Sequence, residues 1–188
     1  METLLAYFKQ FNPLSERAVS AILEICTPVE IKKNKNLQPV GHTCRTVYFI
    51  KKGAARIYYY KDGNDITECF VFENNIIARV ESLFSGQPSK KAIEILEDAE
   101  LIAIHSTALF KLYDTFPDIE RLFRKIFEAA YVDTVNRVES IQFHTAEERY
   151  LALLNEMPNV LQRVPLKHIA SYLGITQVSL SRIRASSR

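Results

Sequence analysis

Four side chains near the C-terminal end, Gln177, Val178, Ser181 and Arg182, stand at positions i, i+1, i+4 and i+5, with Leu180 and Ile183 interleaved. At 3.6 residues per turn this spacing gathers the four on one side of a helix and turns the two large apolar residues to the other. A carboxamide, a branched apolar group, a hydroxyl and a guanidinium side by side suit the edges of base pairs. Arginine can donate twice to guanine, glutamine can bond adenine, and valine can touch a thymine methyl. Thr176, Ser179, Lys167 and Arg184 flank the same face and suit phosphate oxygens, which fix register without specifying sequence.

Charge along the chain agrees with a polyanion partner at this end. Residues 159–188 contain Arg163, Lys167, Arg182, Arg184 and Arg188 and no acidic residue, whereas the remaining 158 carry 19 basic against 22 acidic groups. A basic end on a slightly acidic body is the pattern of a segment that meets a polyanion, although a solvated basic tail gives the same count.

The elements that must position these groups can be read upstream. Pro165 suits the first position of a helix, Ile169, Ala170 and Leu173 form a compact apolar face, and Gly174 can take the left-handed conformation that closes the helix. Thr176 then offers a capping oxygen to a second helix. Two short helices joined by a glycine turn, with small Ala170 at their crossing, make a helix-turn-helix. A separate packing lid is the alternative. Thr145-Ala-Glu-Glu148 matches a capping box and places another helix start just before this module.

Further back the pattern divides into two. From about Ile119 to Ile141, apolar residues recur by threes and fours over roughly six turns, about 35 Å, a helix long enough to pack on the body and also to pair with a second copy. Between about Val29 and His105 the period is two instead. TVYFI, AARIYYY and ITECFVFE alternate with turns, of which Asp62-Gly63 is a strong hairpin signal and Lys52-Gly53 a weaker one; KAIEIL and ELIAIH follow as strands. Two short helices, broken at Asn12-Pro13, precede them. The fold class expected is α+β: an antiparallel β-roll, or jelly roll, over 1–116 with N-terminal helices, a long dimerisation helix over 117–142, and a helix-turn-helix domain over 143–188.

The stretch PLKHIASYLGITQVSLSRIR resembles the helix-turn-helix of Crp/Fnr transcription regulators, and IKKGAARIYYYKDG resembles the hairpin region of their cyclic-nucleotide-binding-like β-roll. The resemblance spans nearly the whole chain. It implies a homodimer that binds a near-palindromic duplex in the cytoplasm, with RNA polymerase as a further partner. The chain runs only four residues beyond Arg184, so the strands of a winged helix are expected to be missing or minimal. In cyclic-nucleotide-binding relatives a Gly-Glu pair leads to an arginine; the glutamate bonds the ribose and the arginine pairs with the cyclic phosphate. Here the corresponding positions are Val80-Glu81 and Ser89. Glu81, Ser89 and Lys90 are therefore the candidate effector residues, with Lys91 the alternative to Lys90, and loss of the arginine argues against cyclic AMP or GMP. An unidentified effector in the barrel and no effector at all remain open.

Other classes find little support. At 188 residues, 47% hydrophobic and 24% charged, the chain has the composition of an ordinary globular protein, without an N-terminal leader or an 18-residue apolar run. Cys26, Cys44 and Cys69 are too scattered for a disulfide framework, zinc site or iron–sulfur cluster. His42, Cys44 and His105 read as loop or core residues rather than haem ligands. No catalytic constellation is visible, so no enzyme, cofactor or metal is expected. A sensing or interaction module without DNA binding is the main competing function.

Overall fold

A computed structural model describes residues 1–186, so Arg188, one of the five basic residues counted above, lies outside the described residues. Helices α1 (Glu2–Phe11) and α2 (Glu16–Glu24) lead into eight strands: β1 (Cys26–Ile31), β2 (Asn36–Gln38), β3 (Thr46–Lys52), β4 (Ala55–Lys61), β5 (Asn64–Val71), β6 (Asn75–Ile77), β7 (Ala92–Ile95) and β8 (Ala99–His105). The short helix α3 (Val80–Ser85) interrupts them between β6 and β7. After the strands come α4 (Ser106–Tyr113), the long α5 (Pro117–Phe143), α6 (Ala146–Glu156), α7 (Val160–Arg163), α8 (Leu166–Leu173) and α9 (Gln177–Ser186).

The strands form two antiparallel four-stranded sheets, β1-β8-β3-β6 and β2-β7-β4-β5. Their facing sides fill the roll with Ile50, Ile57, Ile77, Ile93, Ile95 and Leu101. Each fully buried isoleucine stabilises by roughly 1.5–3 kcal/mol, which suits a core built from β-branched residues on pleated strands. The outer side of the first sheet, through Val47, Phe49, Ile102 and Ile104, packs on α1, α2, α4 and the first turns of α5. The outer side of the second sheet supplies Phe70 and Leu96, which together with Ala54 pack against the C-terminal helices. Much of the outer side of each sheet is therefore covered, which explains why Ala55–Tyr58 at the start of β4 are all buried.

Asp62 and Gly63, both at positive φ, close the β4–β5 hairpin as the sequence predicts. Lys52-Gly53 does not close one: β3 and β4 belong to different sheets, and the chain crosses between them there. Gly53, at φ +100°, serves this crossing because a Cβ would lie 3.0 Å from Ala99 and from the Asp98 carbonyl. Pro165 likewise stands one position earlier than expected, at the N-cap of α8 rather than inside its first turn.

Candidate nucleic-acid interface and the barrel ion cluster

The C-terminal module is built as its residues dictate. Thr145 caps α6 through a full capping box with Glu148. Gly174 closes α8 at φ +69°, and its N–H bonds the carbonyls of Ala170 and Ser171. The Thr176 hydroxyl accepts the Ser179 N–H at 3.1 Å. Leu180 is buried with Tyr150, Leu153, Ile169, Ala170 and Leu173, while Ile183 packs partly buried beside them. Gln177, Val178, Ser181 and Arg182 are all exposed on the opposite side of α9, Val178 to 62%. Lys167 is exposed as well, on α8, and Arg184 is half-buried. The sequence placed Thr176 and Ser179 among phosphate contacts; here their hydroxyls also bond each other at 3.0 Å as part of the helix start.

The module does not stand away from the body. Helix α8 lies on β5, where the Thr67 N–H donates to Ser171 Oγ at 3.1 Å and Ser171 donates to Thr67 Oγ1 at 2.9 Å. Under this contact Arg56, only 2% exposed, reaches Asp65 (Nη2–Oδ2, 2.6 Å), Glu94 (Nε–Oε2, 2.6 Å) and Thr67 Oγ1 (2.9 Å). Burial would raise the Asp65 pKa, but its hydrogen bonds and charge interaction with Arg56 outweigh that and hold it below the usual carboxylate range. His168, buried on the same side of α8, is pushed down to about 4, first by burial and then by the Arg56 charge.

A second charged cluster sits on the other side of β5. The β4–β5 ladder pairs Ile57 with Cys69 and Tyr58 with Thr67, so Glu68 is the extra residue of a β-bulge. Thr67 faces the helix-turn-helix, while Glu68 pairs with Lys91 and lies 3.6 Å from Arg79 Nη1. Arg79 also donates to Glu81 Oε2 at 2.8 Å, and Ser89 donates to Glu81 Oε1 at 2.8 Å. Burial would raise the Glu81 carboxyl, yet Arg79 and Ser89 keep it low. The structure thus brings Glu81 and Ser89 together but leaves Lys90 exposed; Lys91 faces the cluster. Arg79 and Glu68 are the members that sequence reasoning missed. Arg79 directly precedes the Val80-Glu81 pair, which is a usable signal, whereas the bulge that turns Glu68 inward has none.

Helix α5 divides into two parts. Ile119, Leu122, Phe123 and Ile126 are buried on the body, but Tyr131, Val132, Val138, Ile141 and Phe143 are exposed, Tyr131 to 70% and Phe143 to 74%. Phe84 and Phe127 meet edge to face at the head of this stripe, beside a groove of about 580 Å³ that Tyr113, Tyr131 and Val132 also line. Cys26, Cys44 and Cys69 are free thiols, and the described residues contain no cluster of metal-ligating side chains. Among them, no helix is long and apolar enough to cross a membrane.

Residues 28–116 match the family model of the cyclic nucleotide-binding domain. Curated protein sequences give no match. Among solved structures, FixK2 from Bradyrhizobium japonicum aligns with a TM-score of 0.75 at 20% identity, covering 86% of this chain and 84% of its own. A protein of Eubacterium rectale described as a transcriptional regulator of the Crp/Fnr family aligns at 0.73 and 19% identity, covering 95% and 85%. The c-di-GMP-responsive global regulator CLP of Xanthomonas campestris aligns at 0.73 and 14% identity, covering 92% and 91%. Residues 28–116 are thus similar to a cyclic nucleotide-binding domain, and the chain shares the fold of these solved structures, one of them described as a Crp/Fnr-family regulator, over most of its length.

Proposed function

We propose that this protein is a sequence-specific, DNA-binding transcription regulator that acts as a homodimer in the cytoplasm, without catalytic activity and without a metal. The observation that carries the reading is the division of α9: Leu180 is buried, while Gln177, Val178, Ser181 and Arg182 project into solvent. The apolar stripe over the second half of α5 is the surface on which two chains pair about a two-fold axis. A dimer of this kind sets two α9 helices in successive major grooves about 34 Å apart, and its target is a near-palindrome. RNA polymerase is its further partner at the promoter.

The barrel is not a cyclic AMP or GMP site in this reading. Ser89 stands where nucleotide-binding relatives carry the arginine that pairs with the phosphate, and Arg79 is already committed to Glu81 and Glu68. Selection from a random pool of duplexes tests the function directly. Enrichment of a two-fold-symmetric sequence, bound by a species that sediments as a dimer, is the expected outcome. A pool that shows no enrichment, at salt low enough for non-specific binding, would leave an interaction module without DNA binding.

A further inference from the structure

The helix-turn-helix is anchored to its own β-roll more firmly than a tethered module needs. Its helices share the core of Tyr150, Leu153, Ile169, Leu173 and Leu180, and that core continues into the roll through Ala54, Phe70 and Leu96. Beyond this apolar contact, Arg163, which precedes α8, is held between two turns of the roll. It donates to Glu97 (Nε–Oε1, 2.9 Å) and to Glu73 (Nη1–Oε2, 2.8 Å; Nη2–Oε1, 2.6 Å), and Glu73 itself accepts the Gly53 N–H at 2.9 Å. Ser171 is fixed to Thr67 on β5, as described. From α5, Arg137 donates to the Tyr172 carbonyl and lies 3.8 Å over the Tyr172 ring.

Three anchors on three different parts of the body fix a rigid group in all its rotations. Two of them are charge-assisted or bidentate and partly shielded from water, which makes them stiffer than ordinary surface pairs. Since α5 carries both the dimer stripe and one anchor, the route from the two-fold axis to the exposed face of α9 contains no free hinge. We infer that Arg163 and Ser171 are positioning residues: by clamping the module to the roll they set the distance between the two α9 helices, and so the spacer length that the dimer accepts between half-sites. This inference rests on the proposed function, since only a duplex has a spacer to be measured. The Ser171 anchor stands on the same bulge that turns Glu68 onto Lys91 and Arg79, so the platform and the barrel's ion cluster share one strand segment.

The test uses the full chain and the selected palindrome, with the centre lengthened or shortened by one or two base pairs. Simultaneous engagement of both half-sites depends on geometry, so the unaltered dimer should prefer one spacer by about tenfold or more. In Arg163→Met/Ser171→Ala the preference should fall to about twofold, with the monomeric half-site affinity unchanged; a merely structural role would lower all affinities in parallel. Arg163→Lys, which keeps one charge, should restore part of the selectivity. Retained spacer preference in a folded double variant overturns the assignment. Should the double variant fail to fold, Ser171→Ala with Thr67→Val replaces it. Should the unaltered protein select no duplex, the regulator reading fails by itself, and hydrogen exchange then decides the anchoring: faster exchange across 166–173 and at the Thr67 amide in the double variant supports it, and unchanged exchange there overturns it.

Discussion

Arg182 and Lys167 are both exposed cations of the same small module, yet they belong to different chemistry. Arg182 shares the outer face of α9 with Gln177, where in the proposed complex a planar fork would meet base edges, whereas Lys167 lies on α8, where a point charge would meet phosphate. Arg182→Ala is expected to relax base preference at one position per half-site, at a cost of about 1–3 kcal/mol on the selected site. Lys167→Ala should weaken all duplexes alike and lower the salt dependence of binding by about one unit of slope. Titrations of specific and random duplexes over a range of salt separate the two, and equal losses on both duplexes for Arg182→Ala would contradict its role. Arg56 makes the opposite case, a cation with no access to a ligand. Arg56→Met leaves Asp65 and Glu94 without their partner under α8 and should cost about 3–5 kcal/mol, read by denaturant unfolding, with the loss concentrated at the junction of roll and helix-turn-helix.

At the scale of elements, α5 serves two surfaces with one pattern. Its first turns are buried by the body, and its later turns keep Tyr131, Val138 and Ile141 in solvent at intervals of seven and three. That is the spacing of a seam between paired helices. Val138→Asp with Tyr131→Glu should therefore convert a sedimenting dimer to a monomer while leaving the far-ultraviolet circular dichroism of the chain unchanged. A dimer that survives both charges would exclude this stripe as the contact. Much of this was legible in advance: the change of period from two to 3.6 marks the roll and α5, and the capping box at Thr145 marks α6. Lys52-Gly53 misled because glycine turn chemistry looks the same whether the chain returns along its own sheet or crosses to the other one. Only packing against Ala99 distinguishes the two.

For the molecule as a whole, the junction between roll and helix-turn-helix is where acidity should act. His168 is held at about 4, with Arg56, Asp65, Lys167 and Glu94 as the charged groups around it. In the unfolded chain the imidazole titrates near 6.5, so between these values the unfolded state binds more protons than the folded one. Stability is therefore fully present above about pH 6.5 and is lost progressively as pH falls toward 4, by up to about 3 kcal/mol from this group. His168→Gln should flatten the fall in Tm over that window, and an identical pH profile in the variant would assign the effect elsewhere. Glu73, held at about 2 chiefly by its hydrogen bonds to Arg163, keeps the other anchor ionised throughout the same range.

The sequence by itself determined what depends on near neighbours along the chain. The helix-turn-helix follows from Gly174, the Thr176 cap and the spacing of Leu180; the exposed polar face of α9 follows from the helical period; and the roll follows from alternation and Asp62-Gly63. Tertiary structure decided what depends on which surfaces meet. It set the module against β5 through Ser171 and Arg163, and it turned Glu68 inward at a bulge that no local signal announces. It also chose Lys91 over Lys90 as the inner cation beside Arg79. The physical reason is range: hydrogen-bonded turns, caps and amphipathic periods act over a few residues, whereas Arg163 and Glu73 are 90 residues apart and meet only when two separately formed surfaces pack.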